Sequence, residues 1–164
     1  MDARLLRLGM CLWPPYLGAG IRVRRIAADY GEVLVEMRLR VWNRNYFGTH
    51  FGGSLYSMTD PFFALMLTHR LGPHYLVWDH SGGIEYLTPG RGLARAHFVL
   101  DAARVEAIRA QAAGGSKVLP EFTLEVKDRA GHVVARVHKT IYVRLKKRYR
   151  PAADAAQGAG AQAQ

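Results

Sequence analysis

Residues 45–71 read NYFGTHFGGSLYSMTDPFFALMLTHRL, and this stretch decides the fold because it joins a polar loop, a glycine pair and a long apolar segment. Asp60 is the only formally charged side chain between Arg44 and Arg70, with histidine counted as neutral. From residue 53 to residue 71 the apolar residues lie on nearly all sides of a helix, which is typical of a buried helix. Pro61 is expected to kink this helix beside Asp60, because proline cannot donate a backbone hydrogen bond.

The position of Asp60 after the glycine pair suggests that this acid takes part in a reaction. An unpaired carboxylate in a buried helix is costly, so such acids are usually paired or take part in a reaction. Backbone N–H groups at a glycine-rich helix start can stabilise a developing oxyanion. An acid together with an oxyanion site suggests hydrolysis of an acyl compound. The alternative is a structural Asp60 that hydrogen-bonds a neighbouring loop.

Strand patterns lie on both sides of this helix. Alternation of apolar residues predicts strands over residues 21–28, 32–42, 75–79, 84–87, 93–100, 121–127 and 132–144. Helical spacing predicts a second helix over residues 102–113. One apolar helix set against five or six mostly antiparallel strands is an α+β arrangement, and a sheet curled around one long central helix satisfies the pattern.

The composition is that of one globular domain. The chain has 164 residues, of which 49% are apolar, enough for a single core. Its one cysteine, Cys11, excludes an intramolecular disulfide, and no HxH, HxxxH or HExxH spacing is present, so we predict no metal site. No stretch reads as a membrane span or a convincing signal peptide, which predicts a cytoplasmic protein.

The two ends of the chain differ in character from its middle. Residues 1–20 are predicted to hold an amphipathic helix that Pro14-Pro15 ends, residues 21–148 the domain, and residues 149–164 a disordered tail. The helix could contact a membrane, but packing on the domain is favoured. The net charge is +10, and five of the 23 positive residues lie in residues 144–150. This basic patch fits a coenzyme A polyphosphate, an anionic membrane or a solvated strand end. The absence of nucleic-acid-binding motifs predicts no nucleic acid partner.

These residues resemble the hotdog-fold acyl-CoA thioesterases, specifically the phenylacetyl-CoA and acyl-CoA thioesterase branch. That branch carries an Asn, a His-Gly-Gly six residues later and then an acid on the central helix. Here Asn45 stands six residues before Phe51-Gly52-Gly53, and Asp60 stands eight after Gly52. Residues 84–89 (IEYLTP) resemble the following strand and turn, and residues 13–148 resemble a poorly characterised subgroup of thioesterase-like hotdog proteins. The chain departs from the branch at Phe51, which replaces the family His, with His50 displaced by one residue.

The resemblance implies a hotdog fold, an acyl-CoA thioester as substrate without a cofactor, and a site shared between the subunits of a homodimer or homotetramer. Asp60 would act as a general base on water or attack the thioester carbonyl directly. The N–H of Gly52 would stabilise the oxyanion. Asn45 would orient the carbonyl or the water, or merely hold its loop. His50 could donate to the thioester carbonyl, but a place at the loop surface is favoured.

Further residues have supporting roles in this interpretation. Gly53, Ser54 and Asp79 are expected around the site, although pairing with a nearby Arg or His is the favoured interpretation of Asp79. Arg91 and Arg95 are candidates for coenzyme A phosphates, with a solvated turn as the alternative. The predicted function is hydrolysis of an acyl-CoA thioester to a free acid and coenzyme A. The alternatives are a non-catalytic acyl-CoA- or lipid-binding hotdog protein, and a basic interaction protein that acts through residues 144–150.

Overall fold

The computed structural model describes residues 2–151. Its elements in chain order are α1 (Ala3–Leu12), α2 (Pro14–Ala19), β1 (Ile21–Ile26), β2 (Glu32–Arg38), α3 (Gly52–Ser57), α4 (Phe62–Leu71), β3 (Tyr75–Tyr86), β4 (Leu93–Val99), α5 (Ala102–Ala112), β5 (Glu121–Lys127), β6 (Val133–Leu145) and a 3₁₀ turn (Lys147–Tyr149). The six strands form one antiparallel sheet in the order β1-β2-β4-β5-β6-β3. The predicted α+β architecture is confirmed.

The core lies between the inner face of the sheet and the central helix. Alternate residues of β2 and β4 are buried, as the period of two of a strand requires. Phe62 and Phe63 of α4 contact the ring of Phe98 at centroid distances of 5.0 and 5.2 Å. In β6 the buried row is made of Ala135, Val137, Lys139, Ile141, Val143 and Leu145. The middle of an otherwise apolar row is therefore a lysine.

The central helix is interrupted at the position that proline predicts. α3 ends at Ser57 and α4 begins at Phe62, and residues 58–61 form a turn. In this turn the N–H of Asp60 donates to the carbonyl of Ser57 at 3.3 Å. The kink expected at Pro61 is thus a full break, because proline has no N–H to continue the helix, and Pro61 is the N-cap of the next one. Asp60 lies in the joint between the two segments.

The N-terminal segment holds two helices. Pro14-Pro15 begins α2, since proline is tolerated in the first helical turn. The helix before the proline pair ends at Leu12, and the second helix that the prolines begin was not predicted from the sequence. Tyr16 of α2 is fully buried, and its hydroxyl donates to the carbonyl of Ser57 at 3.3 Å. Burial and then the nearby charge of Asp60 raise the pKa of Tyr16 far above its usual value. The tyrosine connects α2 to the helix joint as a neutral phenol.

The strand bounds differ most from the predicted ones in two places. The segments predicted at residues 75–79 and 84–87 are one strand, β3, which stays paired with β6 across an irregularity between Asp79 and Ser81. β2 ends at Arg38 instead of residue 42, and the chain then enters the loop before α3. Of the predicted tail, residues 152–164 lie outside the described residues. Within residues 2–151 no helix has the length and apolarity to cross a membrane.

Candidate functional site

Asp60, Lys139 and Asp79 form an ion-pair group, which we call the Lys139 cluster. The Lys139 Nζ atom lies 2.8 Å from Asp60 Oδ1 and 2.7 Å from Asp79 Oδ1. The Lys139 side chain is 2% exposed, whereas that of Asp60 is 53% exposed and that of Asp79 is 34% exposed. One buried ammonium from β6 therefore holds two partly exposed carboxylates, one from the helix joint and one from β3.

The backbone around the cluster leaves room for the lysine side chain. Gly82 of β3 is the cross-strand partner of Lys139. A Cβ atom at Gly82 would lie 2.9 Å from Lys139 Cδ and would also meet the hydroxyl of Tyr56. The Lys139 Nζ atom lies 5.4 Å from the centroid of the Tyr56 ring, within the range of a cation–π contact. The glycine on β3 thus permits the buried path of the lysine.

The electrostatics of the cluster keep Lys139 charged. Burial by itself would lower the pKa of Lys139, but its hydrogen bonds to Asp60 and Asp79 and their charges outweigh burial, so the pKa is raised above its usual value. Lys139 is an ammonium at neutral pH. The expectation that Asp60 is buried is wrong, because its side chain is half exposed. Asp60 has an ionic partner, as the sequence leads one to expect of an acid on an apolar helix. The Arg or His predicted as the partner of Asp79 is a lysine.

Lys139 was missed by sequence reasoning although the sequence contains a signal for it. It lies at the same alternate position of the strand as Val137 and Ile141, which predicts that its side chain points inward. A lysine in a core-facing row requires a carboxylate partner, because an unpaired buried charge is costly. The partner cannot be identified locally, since Asp60 and Lys139 are 79 positions apart in sequence.

The second candidate region is a cleft of about 720 Å³ at the start of α3. It lies between the loop before α3 and the segment that follows β3, and its apolar walls are formed by Phe47, Phe51, Leu55, Tyr86, Leu87 and Pro89. Gly52 and Gly53 also line it, and their N–H groups have no intrahelical acceptor because they are the first two residues of the helix. A Cβ atom at Gly52 would lie 2.8 Å from the Tyr86 ring, so glycine allows the close approach of the two walls.

Asn45 uses its side chain to shape the loop. Its Nδ2 donates to Thr49 Oγ1 at 2.9 Å and to the carbonyl of His50 at 3.3 Å. Its Oδ1 accepts from the N–H groups of Phe47 and Thr49, each at 3.0 Å. Both the amide nitrogen and the amide oxygen of Asn45 are therefore engaged within the loop. Of the two roles that the sequence leaves open for Asn45, this arrangement is the one that holds the loop.

His50 is buried beneath this loop and is 3% exposed, so the expectation that it lies at the loop surface is wrong. Its Nε2 lies 3.2 Å from the carbonyl of Gly92, and Nδ1 is buried without a hydrogen-bond partner among the described residues. Burial lowers the pKa of His50 and outweighs the hydrogen bond to Gly92. The neutral ring donates through Nε2–H and has a free acceptor at Nδ1.

The remaining predicted residues are spread over different surfaces. Arg91 lines the cleft, and Ser54 lies on α3, where its N–H donates to the carbonyl of Phe51 at 3.0 Å. Arg95 lies on the outer face of the sheet, where its Nη2 donates to Glu36 Oε1 at 2.7 Å. The structure does not bring Arg91 and Arg95 together as one phosphate site. In the basic patch, Arg150 Nε donates to the carbonyl of Leu145 at 2.9 Å.

The two candidate regions are separate within one chain. Neither Asp60 nor Asp79 lines the cleft at the start of α3. The acid and the free N–H groups lie at opposite ends of the short helix α3, with Gly52 at its first position and Asp60 three residues beyond its last. In the part of the chain that the structure describes, no three His, Cys, Asp or Glu side chains are grouped as metal ligands.

A six-stranded antiparallel sheet around a central helix, with a glycine-rich loop at the helix start, defines the hotdog class of proteins. Residues 2–143 match the family model described as "Domain of unknown function (DUF4442)". The chain belongs to this family. A comparison with curated proteins found no match.

Solved structures show the same fold at low sequence identity. PA5026 from Pseudomonas aeruginosa, a protein of unknown function described as a probable thioesterase, is 20% identical with a TM-score of 0.77, and the match covers 89% of this chain and 97% of that one. The thioesterase HI1161 from Haemophilus influenzae is 13% identical with a TM-score of 0.63, over 88% of this chain and 92% of that one. At these identities the likeness shows the fold.

Proposed function

We propose that the protein is an acyl-CoA thioesterase, which hydrolyses an acyl-CoA thioester to a free acid and coenzyme A. The observation that carries the proposal is the state of Asp60. Its Oδ1 is bonded to the buried Lys139, while no hydrogen bond engages Oδ2 within residues 2–151 and the side chain is half exposed. A carboxylate that is fixed by one oxygen and open at the other is suited to accept a proton from water. The thioesterase names of proteins with this fold support the reaction class.

The cleft at the start of α3 supports the choice of substrate. Its aromatic and aliphatic walls suit an acyl chain, and Gly52 and Gly53, whose N–H groups have no intrahelical acceptor, line it. Arg91 at the same cleft is a candidate for a phosphate of coenzyme A, since a guanidinium matches phosphate oxygens. A thioester placed here would direct its carbonyl oxygen to Gly52. One such donor typically contributes about 10²–10³ in rate.

A second copy of the chain would complete the site. β3 is an edge strand of 12 residues, and within residues 2–151 it pairs with β6 on one side and with no strand on the other, so its other side is open for pairing. Asp79 lies on this strand, so the Lys139 cluster adjoins the open edge. In a homodimer, or in a homotetramer built from such dimers, Asp60 of one subunit would act on a thioester held at Gly52 of the other. The separation of the two regions within one chain supports this arrangement.

The reaction then follows from the chemistry of the side chains. Asp60 Oδ2 accepts a proton as a water oxygen attacks the thioester carbon, and the carbonyl becomes an oxyanion held by the Gly52 N–H. When the carbonyl re-forms, the C–S bond breaks and the coenzyme A sulfur leaves as a thiolate that takes the proton from the Asp60 carboxyl group. In the other route an Asp60 oxygen attacks the carbon itself, the C–S bond breaks and the coenzyme A thiolate leaves, which gives an anhydride. Water then hydrolyses the anhydride, releases the free acid and restores the Asp60 carboxylate. Single turnover in ¹⁸O-labelled water separates the two, because only the anhydride route can place ¹⁸O in the protein.

A second candidate is a non-catalytic protein that binds acyl-CoA or a lipid. Two observations favour it. Phe51 stands where the thioesterase branch has a histidine, and its exposed ring lines the cleft. An Asp60 paired with a buried lysine is also what a purely structural ion pair would show.

Thiol release from acyl-CoAs of short, long and aromatic acyl groups distinguishes the two candidates. We expect turnover of at least one substrate by the wild type and a loss of about 10²-fold or more in Asp60→Asn, the usual effect of removing a general base. Asp29→Asn is the matched control. Asp29 lies in the exposed β1–β2 turn, and its Oδ1 accepts from the Gly31 N–H, an acceptor that asparagine keeps. Tight acyl-CoA binding without turnover in all three proteins would establish the binding protein instead.

A further inference from the structure

A groove on the outer face of the sheet carries an excess of positive charge. It lies beside the start of β1 and the end of β2, and we call it the arginine groove. Its charged side chains are those of Arg22, Arg24, Glu36, Arg38 and Arg40. The glutamate is already bonded twice, because Oε2 lies 3.4 Å from Arg24 Nε and Oε1 lies 2.7 Å from Arg95 Nη2. Among residues 2–151 no ion pair or side-chain hydrogen bond engages the other three guanidinium groups, so they share the groove without a counter-charge.

The segment that carries Arg38 and Arg40 is held in place by the buried side chain of Asn43. Its Oδ1 accepts from the Arg40 N–H at 2.6 Å. Its Nδ2 donates to the carbonyls of Ala19 and Arg38 at 2.9 and 3.0 Å. Gly20, with φ at 72°, leaves space for this amide, since a Cβ atom there would lie 2.8 Å from Nδ2. The arginines therefore project from a fixed backbone, which lowers the entropic cost of binding an anion.

The chemistry of the groove suits a nucleotide. Guanidinium groups match phosphate oxygens, and several of them without carboxylate partners favour a ligand with several negative charges. Trp42 lines the same groove and is 69% exposed. An exposed indole offers a face on which a base can stack. Phosphate-binding groups and a stacking surface thus lie side by side.

The arginine groove adjoins the cleft at the start of α3 through a third hollow. This hollow, of about 300 Å³, is lined by residues of α2, of α3 and of the loop before α3. It shares Trp42 with the arginine groove and Phe51 with the cleft. Gly52 follows Phe51 directly. A line of adjoining hollows therefore leads from the predicted oxyanion site to the arginines, which fits an extended ligand with a thioester at one end and phosphates at the other.

We propose that the arginine groove binds the 3′-phosphorylated adenosine diphosphate part of coenzyme A, with the phosphates at the three unpaired arginines and the adenine on Trp42. This rests on the proposed thioesterase function, because the thioester at Gly52 fixes the other end of the ligand. The pantetheine arm then lies in the hollow between Trp42 and Phe51. The subunit that supplies Gly52 also supplies the groove.

Calorimetric titration with coenzyme A tests the groove without turnover. We expect Arg38→Gln and Arg40→Gln each to weaken coenzyme A binding by about tenfold, because each removes a charge-assisted hydrogen bond to phosphate. Arg129→Gln is the matched control, since Arg129 lies in the exposed β5–β6 turn and its loss changes the net charge by the same amount. Equal affinities in the two groove variants and the control would overturn the proposal.

Tryptophan fluorescence tests the position of the adenine. A base stacked on an indole quenches its emission, so coenzyme A should quench the wild type. Trp42→Phe should lose this quenching and still bind, because phenylalanine keeps an aromatic face. Trp13→Phe is the control, since Trp13 is also half exposed but does not line the arginine groove. Quenching that persists in Trp42→Phe would overturn the placement of the nucleotide.

Kinetics separate this proposal from the thioesterase function. On an acyl-CoA, Arg38→Gln should raise KM about tenfold with kcat unchanged, because the contact is remote from the reacting carbon. On the acyl-pantetheine thioester, which lacks the nucleotide, it should match the wild type. An active wild type with KM raised by Arg91→Gln and not by Arg38→Gln would move the phosphates to the cleft, overturning the groove and leaving the thioesterase function in place. An inactive wild type whose coenzyme A binding depends on the groove arginines would refute the thioesterase function and keep the site.

An anionic membrane is the other partner that clustered arginines attract. Sedimentation with phosphatidylglycerol vesicles distinguishes it. We expect Arg38→Gln and Arg40→Gln to sediment as Arg129→Gln does. Vesicle binding weakened only in the groove variants, with coenzyme A affinity unchanged, would assign the groove to a membrane surface and overturn the proposal.

Discussion

His50 lies beneath the loop that leads into α3, with one ring nitrogen bonded to the Gly92 carbonyl and the other buried without a partner within residues 2–151. Gly90 closes over it, because a Cβ atom at that position would lie 3.1 Å from His50 Cδ2. Protonation would place a second N–H, and a charge, where no acceptor is described. The loop that carries Gly52 is therefore built on a histidine that must stay neutral.

This geometry predicts a dependence of stability on acid. Burial places the pKa of His50 in the fold below its usual value of about 6.5, so the unfolded chain binds the proton first as the pH falls. The contribution of neutral His50 to the free energy of unfolding is therefore fully present above about pH 6.5. Below that pH it is lost by up to about 1.4 kcal/mol per pH unit, until His50 is protonated in the folded state as well. Urea unfolding at about pH 7.5 and about pH 5 measures this loss. His50→Gln should reduce it.

His80→Gln provides the control, since it removes an exposed imidazole and leaves the buried His50 in place. His69, whose pKa burial also lowers, contributes in the same direction, so the reduction in His50→Gln is partial. A loss of stability in His50→Gln equal to that of the wild type would show that His50 is not held neutral by the fold.

At the residue scale the sequence identifies Asp60 but not its environment. A lone acid next to a glycine pair stands out in residues 45–71, and the resemblance points to the same position. Its ionic partner depends on strand β6 crossing beside the helix joint, and no local pattern specifies which of the 23 basic residues arrives there. The burial of His50 is likewise not specified locally. The residues that contact its ring, Gly90 and Gly92, lie after β3 and not in the loop that carries His50.

At the scale of elements, β3 connects the candidate site to the sheet edge. Gly82 and Gly83 follow one another in this strand, opposite Lys139 and His138 of β6. Their surroundings differ, because a Cβ atom at Gly82 would meet Tyr56, Lys139 and the carbonyl of His138, whereas one at Gly83 has no atom within 4 Å. The two positions make a matched pair within a single element.

Gly82→Ala should therefore be harmful where Gly83→Ala is not. The added methyl group at residue 82 must displace the lysine stem or the Tyr56 hydroxyl, and overpacking of this kind costs about 1–3 kcal/mol. Gly83→Ala should stay within about 0.5 kcal/mol of the wild type. Urea unfolding compares the free energies, and thiol release should fall in Gly82→Ala alone. Equal effects at both positions would mean that Gly82 is not the packing partner of Lys139.

The predicted elements were mostly correct because their signals are local. Alternation in β2, β4, β5 and β6 and the break at Pro61 can be seen within windows of a few residues. The start of α2 at Pro14-Pro15 was missed, since the same dipeptide is compatible with ending one helix and beginning the next. The continuity of β3 through Gly82-Gly83 was also missed, because glycine weakens the pattern by which a strand is predicted. In the structure Gly82 is needed there because the Lys139 side chain occupies the space beside it.

At the scale of the whole molecule, the open edge of β3 and the separation of Asp60 from the cleft belong together. A single chain places the Lys139 cluster beside the open edge of β3, and Gly52 lines a separate cleft. A site shared between two copies accounts for both features, since pairing covers the edge while each copy supplies one part. Sequence reasoning reaches this arrangement through the resemblance, because periodicity within one chain carries no information about a partner.

Complementation between two inactive variants tests the shared site most directly. Asp60→Asn removes the base. Gly52→Pro removes the N–H donor at a position where a helix tolerates proline, and its ring also displaces Tyr86 from the cleft wall, so it disables the Gly52 half of the site in two ways. Each variant alone should lose about 10²-fold or more of the thiol release. Co-expressed and randomly mixed, they should regain about a quarter of the wild-type activity, because half of the dimers are mixed and each mixed dimer has one intact site. Activity of the mixture no higher than that of the separate variants would contradict a site built from Asp60 of one subunit and Gly52 of the other.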